Sequence, residues 1–359
     1  MDIKECNIIE DRDILQIMRA FAIIAVVAYH ALRKLPSGFA VNTTGELLFS
    51  FHVNIFFVIS GFLFEKKQTR YSKEGFPGYL KGKFKRIFVP YYVSTVLFSL
   101  AILTAAQIPR LADMVVHMNY KVKGIFAILT DPLWYHDPLF RSLWFSWCLF
   151  WYFMIAWFFR PKGLFRGKTI LIVFGLSYVL NVLALSINDL GLFHVGYIWL
   201  KLIKYYQYFY LGQYLYSRFR GKLPISDRIL ILSVLGAAIV IIKKFSGVTF
   251  HNTILMHVVG QAESLIFAMS VMVLLLNVAM RIRGVLRGHM VCIGNSSYAI
   301  YLLNSPWIIP VIAVIMNKLG AGMIAAFLVM YLCGVYLSIL LETIFKRILR
   351  ICYENYKIA

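Results

Sequence analysis

The chain has 359 residues, of which 60% are hydrophobic and 15% charged, against the ~25% charged that soluble domains carry. With a mean hydropathy of +0.74, too few polar side chains remain to cover a soluble globule, and a disordered chain or a disulfide-stapled secreted one is excluded as well. The net charge of +21, from 37 Lys and Arg against 16 Asp and Glu, suits either nucleic acid or the cytoplasmic loops of a polytopic membrane protein, and the placement of the charges decides between them.

A bilayer core of ~30 Å needs ~20 apolar residues per helix. Taken in chain order, such runs fall at 14–35, 46–64, 87–108, 143–159, 168–188, 196–217, 228–245, 256–279, 290–316 and 320–344. The ninth contains Pro306 and Pro310 and is expected to kink. The outward connection 109–142 has room for a small amphipathic helix. About two thirds of the 37 basic residues lie at the termini or in alternate connections. The stretch 65–86 is the densest, with Lys66, Lys67, Arg70, Lys73, Lys81, Lys83, Lys85 and Arg86. The opposite connections hold Arg33, Lys34, Arg110, Lys121, Lys123, Arg141, Lys243, Lys244 and Lys318. This asymmetry predicts an all-α, polytopic membrane helical bundle of about ten transmembrane helices with both termini cytoplasmic. It makes the bilayer, rather than nucleic acid, the partner that explains the charge. One transmembrane domain is expected over 1–359, with short cytoplasmic tails at 1–13 and 345–359 and no attached soluble domain.

The five cysteines, Cys6, Cys148, Cys292, Cys333 and Cys352, form no CxxC pair. They predict neither a disulfide framework nor a metal site. The motifs HExxH and GxxxxGK[ST] are absent. The N-terminus is acidic, with Asp2, Glu5, Glu10, Asp11 and Asp13, unlike a signal peptide.

Ionisable groups inside apolar spans are costly and mark function by default. Arg19 and His30 lie in the first span, eleven residues apart, on one helical face and ~16 Å apart along the axis. The competing interpretation is a snorkelling Arg and a hydrogen-bonded core His. Lys201 and Lys204 share a face of the sixth span among Tyr205, Tyr206, Tyr208, Tyr210 and Tyr214. That lining suits a sugar or an anionic carrier lipid, or else an interfacial aromatic belt. Glu263, in mid-span, either takes part in chemistry or neutralises Lys201 or Lys204. His52 and His257 lie nearer span ends, His117, His136, His194 and His251 at outward loops, and His289 at a cytoplasmic boundary. All are read as surface or interfacial.

Three segments together carry a resemblance. They are MRAFAIIAVVAYH from Met18 to His30, FHVNIFFVISGFLF from Phe51 to Phe64 followed by KGKFKRIFVPYY from Lys81 to Tyr92, and IGNSSYAIYLLNSPW from Ile293 to Trp307. SLWFSWCLFWYF, from Ser142 to Phe153, supports them. The chain resembles acyltransferase family 3, integral membrane proteins that modify bacterial surface polysaccharides, usually by O-acetylation. The resemblance implies that His30 is the catalytic base and Arg19 its partner. The family's RxxR pair falls on Lys83 and Arg86, with a Lys in place of the first Arg and hence no bidentate fork there. Many members have a His where this chain has Asn304, and many O-antigen modifiers have a Glu after the Trp of the fourth-span motif that is missing here. The implied location is the bacterial cytoplasmic membrane, and the implied acceptor a surface glycan or its lipid-linked precursor.

Acetyl transfer needs a base for the acceptor hydroxyl, an oxyanion donor and a route for the thioester. Histidine suits the first role near neutral pH. Acetyl-CoA, the expected acyl donor, is cytoplasmic and anionic. Lys81, Lys83, Lys85 and Arg86 are placed to hold its nucleotide end, or serve only as a topology signal and a contact for anionic lipid. Ser60 is an oxyanion-donor candidate or part of a close-packed Ser-Gly step. Trp144 stacks on a sugar or marks the interface. A glycan transporter lined by Arg19, His30, Lys201 and Glu263 is the rival from another class, and an N-acyl or succinyl transferase the rival within the same fold. A transporter would be expected to show internal repeats, and none is visible in the sequence.

Overall fold

A computed structural model describes residues 4–7, 12–117, 124–134, 143–159, 169–189, 191, 195–220, 222–248 and 251–358. Lys121, Lys123, His136, Arg141, Ser142, the basic residues of 160–168 and His194 lie outside the described residues. The helices are α1 (Arg12–Leu32), α2 (Phe39–Lys66), α3 (Gln68–Lys83), α4 (Val89–Ala106), α5 (Pro109–His117), α6 (Ile125–Trp134), α7 (Trp144–Phe159) and α8 (Thr169–Asp189). They continue as α9 (Tyr197–Phe219), α10 (Asp227–Phe245), α11 (Thr253–Arg281), α12 (Gly284–Asn295), α13 (Ser297–Leu303), α14 (Ile309–Lys318), α15 (Met323–Leu332) and α16 (Ser338–Ile358).

Among the described residues, each of the apolar runs lies mostly on helix. Among the described residues, seven helical stretches are long and apolar enough to cross a membrane, rather than about ten. The difference has local causes. Helix α7 is apolar but spans only 16 residues. Lys201, Lys204, Gln207 and Gln213 dilute α9. Asp227, Arg228, Lys243 and Lys244 crowd the two ends of the 19-residue α10.

The basic stretch 65–86, expected as a connection, is mostly helical. It forms α3, broken at Gly75, whose φ of 66° is the left-handed conformation that glycine adopts without a Cβ penalty. Pro77 follows the break. Tyr79 then anchors the helix on α7, donating to the Phe153 carbonyl at 3.0 Å and stacking on Trp157 with ring centroids 4.6 Å apart.

Helix α1 is central. Ile17, Ala20, Ala22, Ile23, Val27 and Ala31 are fully buried on several of its sides, as expected for a helix enclosed by others. Small residues let backbones meet. A Cβ on Gly61 of α2 would stand 1.9 Å from the Phe209 carbonyl oxygen of α9, and one on Gly212 of α9 would stand 1.9 Å from the Val58 carbonyl oxygen. A Cβ on Gly294 of α12 would fall 2.0 Å from the carbonyl oxygen of Gln16 in α1. The outer helices turn large apolar side chains outward, among them Leu171, Ile172, Leu232, Ile242 and Ile324. Such a surface fits hydrocarbon and not water.

Polar contacts show which connections share an end of the bundle. Lys4–Asn7 (β1) pairs antiparallel with Lys222–Ile225 (β2), Lys4 opposite Ile225. This short ribbon is the one addition to an all-helical reading among the described residues. Asp13 pairs with Arg287 at 3.2 Å on the same end. On the other end Glu46 meets Lys244 at 3.0 Å and Asp189 meets His257 at 2.8 Å. The grouping is the one that the alternation of basic residues requires.

Candidate functional site

Two helical stripes face each other across one cavity of about 510 Å³. On α1 the stripe is Arg19, Val26 and His30, continued by Arg33 in the turn after it; on α2 it is Phe49, His52, Phe56 and Ser60. Steps of three, four and seven residues keep side chains on one face of a helix. Trp144 of α7, Tyr197 of α9 and Ser297, Tyr298 and Ser305 from α13 and the turn after it complete the lining that bears on the chemistry. Thus Arg19, His30, Ser60 and Trp144, far apart in sequence, border a common space.

The turn Asn304–Ile308 is a π-helical widening. Pro306 has no N–H to donate, and widened turns of this kind recur at functional sites. The turn brings Ser305 Oγ to 3.3 Å from His30 Nδ1. Its neighbour Asn304 points elsewhere. It is fully buried, its Nδ2 donates to the Ile300 carbonyl at 2.5 Å and the Tyr301 carbonyl at 3.3 Å, and it does not line the cavity. The resemblance directed attention to Asn304, whereas Ser305 is the residue that meets His30.

His52, read from sequence as interfacial, is buried in α2. Its Nδ1 faces the Leu48 carbonyl. A carbonyl only accepts, so Nδ1 is the donor of this contact. Tyr29 stacks on His52 at 5.4 Å and meets His30 edge-on at 5.1 Å.

Arg19 donates to Gln16 Oε1 at 3.2 Å, and Gly294 seats that turn of α1. Lys67, between α2 and α3, has its pKa lowered by partial burial and by the charges of Arg86, Arg70, Arg19 and Lys66. A cationic cluster therefore adjoins the Arg19 end of the cavity. Tyr298 ties it in place. Its hydroxyl donates to the Ile87 carbonyl at 2.8 Å, within the π-helical turn Phe84–Phe88 that carries Lys85 and Arg86.

The four basic residues of 81–86 are not equivalent. Lys81, Lys85 and Arg86 are exposed. Lys83 turns inward, donating to the Tyr71 hydroxyl at 3.2 Å with Nζ 3.4 Å from the centre of the Phe153 ring. None of the four lines the cavity.

Lys201 Nζ lies 4.6, 5.0 and 5.3 Å from the rings of Phe49, Tyr197 and Trp144, all three of them cavity-lining. Lys204 packs near Tyr205 at 5.6 Å and does not reach the cavity. Glu263 does not neutralise either of them. It pairs with Lys243 at 2.5 Å and approaches Lys244 at 3.9 Å, because α10 packs on α11 and brings those lysines to it.

Sequence reading missed His52, Ser305, Tyr298, Arg33 and Lys34 as cavity residues. The repeated eleven-residue interval, Arg19 to His30 and Phe49 to Ser60, was the signal for the α2 stripe. The others depend on how distant helices meet.

The family model for the acyltransferase domain of acyltransferase family 3 matches residues 12–343. No curated protein matches the chain, and no solved structure does. The match takes in every cavity-lining residue from Arg19 to Ile309. With its apolar helices and lipid-facing surface, the chain is a multi-pass membrane acyltransferase belonging to acyltransferase family 3.

Proposed function

We propose that the protein transfers an acetyl group from cytoplasmic acetyl-CoA to a hydroxyl of a bacterial surface glycan or its lipid-linked precursor. One transmembrane domain of about ten spans carries the reaction in the cytoplasmic membrane, with both termini inside. The observation that supports this most is the shared cavity of Arg19 and His30, with Ser305 on the far nitrogen of His30.

When His30 Nδ1 donates its proton to Ser305 Oγ, Nε2 retains a lone pair and can act as base. Nε2 takes the proton of the acceptor hydroxyl as that oxygen attacks the thioester carbonyl. The tetrahedral oxyanion needs a donor, and Ser60 in the cavity wall is the candidate. Collapse expels the thiolate of CoA, which recovers the proton from His30 and leaves as the thiol. Arg19 steadies the donor arm. Lys67 and Arg86 beside Arg19, with Arg70, which also pairs with Glu74 at 2.6 Å, and the exposed Lys81 and Lys85 of the same segment hold the phosphates of the nucleotide, the cations acting chiefly by charge. Lys83, enclosed by rings, fixes the segment instead of gripping the donor.

The test is reconstitution of the purified protein with acetyl-CoA labelled in the acetyl group and a surface glycan extract. Label should appear on glycan oxygen, with one free CoA thiol released per transfer. Export of glycan without label on it would favour a transporter and overturn the reading.

A further inference from the structure

At the His30 end of the cavity the lining changes. Arg33 and Lys34 follow His30 at the close of α1, and both border the cavity. From the facing wall Phe49, Trp144 and Tyr197 present rings from three different helices. Lys201, one turn beyond Tyr197 on the same face of α9, stands behind these rings at 4.6–5.3 Å. The end of the cavity opposite Arg19 thus has two exposed cations, Arg33 and Lys34, on its lining and a third, Lys201, behind its aromatic wall.

Two acids of this end are paired with other lysines. Glu46 is held by Lys244 at 3.0 Å and Glu263 by Lys243 at 2.5 Å. Among the described residues, no carboxylate lines the cavity, and none forms an ion pair with Arg33, Lys34 or Lys201. Cations held against low-dielectric walls lose part of their hydration, a cost that a bound anion offsets. Rings around Lys201 offset part of that cost through their negative faces. A cleft of one sign with low-dielectric walls also concentrates ligands of the other sign.

We propose that this end is the acceptor subsite and that the acceptor is an anionic glycan. A carboxylate or phosphate of the acceptor sits against Arg33 and Lys34, and its sugar ring lies against Trp144 and Tyr197, with the charge of Lys201 behind those rings. Arg33 supplies the planar fork that matches either anion. The arrangement sets the acceptor hydroxyl beside His30 while the donor occupies the Arg19 end, where the separate cluster of Lys67, Arg70 and Arg86 serves the nucleotide. The inference rests on the acetyl-transfer reading for the role of the subsite, but binding tests it independently.

The experiment uses the full chain in lipid nanodiscs, with tryptophan fluorescence as the readout. Three probes are compared: hexagalacturonate, the neutral hexagalactose obtained by reducing its carboxyl groups, and galactose 1-phosphate. Hexagalacturonate, galactose 1-phosphate or both should bind at least tenfold more tightly than the neutral probe, and their order tells whether carboxylate or phosphate is the anion recognised. The double variant Arg33→Gln, Lys201→Gln should weaken anion binding by roughly tenfold or more, the scale of lost charge-assisted hydrogen bonds. Lys201→Arg, which keeps the charge, should retain it and controls for misfolding. Acetyl-CoA binding, measured alongside by equilibrium dialysis, should be unchanged in the double variant. Equal binding of neutral and anionic probes, no binding of either anion, or undiminished binding in the double variant would each overturn the subsite. A loss confined to acetyl-CoA binding would assign these cations to the donor and overturn it too. Selective anion binding in a protein that fails to acetylate any glycan would leave the subsite standing and remove the acetyl-transfer reading.

Discussion

Ser305 Oγ stands 3.3 Å from His30 Nδ1 and joins the π-helical turn of the Asn-Ser-Pro-Trp motif to the central helix α1. Two stretches of chain separated by 275 positions meet at the nitrogen whose protonation decides whether Nε2 can accept a proton. Asn304 braces the same turn from inside through the Ile300 and Tyr301 carbonyls. The turn is therefore built to present Ser305, and the motif acts on His30 by position.

Ser305→Ala should lower kcat by about tenfold and leave both KM values within about twofold. The loss of one orienting hydrogen bond is of the order of 1 kcal/mol or somewhat more. Ser305→Thr should recover most of the rate. Steady-state kinetics of acetyl transfer decide this, and a rise in donor KM with unchanged kcat would assign Ser305 to donor binding instead.

The inward turn of Lys83 separates it from Arg86. Lys83→Ala should lower the thermal unfolding midpoint of the detergent-purified protein, because it removes the hydrogen bond to Tyr71 and the stem that packs on Phe153. Arg86→Ala should leave the midpoint unchanged and raise the KM for acetyl-CoA by about tenfold. Equal effects of both substitutions on KM, with no effect on stability, would contradict the division of labour.

Gly61 and Gly212 hold α2 against α9 at backbone distance. Gly61→Ala or Gly212→Ala should abolish or strongly reduce monodisperse protein, since the new Cβ would meet a carbonyl oxygen at 1.9 Å and overpacking against backbone costs about 3 kcal/mol or more. Gly38→Ala, at an extended position with open space around it, serves as the control and should behave as wild type in size-exclusion chromatography.

The contacts that group the connections predict accessibility. Single cysteines placed at positions 70, 222 and 285 in a cysteine-free background should resist an impermeant maleimide in intact cells, whereas one at position 38 or 246 should react. Reversed labelling would invert the orientation. Mixed labelling on one end would break the pairing that β1–β2 and Asp13–Arg287 establish.

How much was legible in sequence depends on the range of each contact. Apolar runs and flanking charges located the helices because both are local. The same local reasoning read 65–86 as a connection, since it weighed charge and not the aromatic anchor Tyr79, whose partners Phe153 and Trp157 lie on α7. Periodicity put Arg19 and His30 on one face, and the structure places both on one cavity. Local sequence offers Lys201 or Lys204 as the partner of Glu263; the actual partner Lys243 follows only from the packing of α10 on α11. His52 was misread for a related reason, because nearness to a span end says nothing about which neighbours cover a side chain.

The most direct measurement is the rate of acetyl transfer from labelled acetyl-CoA by His30→Ala, with the protein quantified in the membrane and its fold checked by chromatography. A small neutral residue is inexpensive in a membrane helix, so insertion should be normal. Removal of general-base assistance should slow transfer by about 10²–10⁴-fold, with acetyl-CoA still bound at the Arg19 end. Transfer by His30→Ala at the wild-type rate would contradict the account.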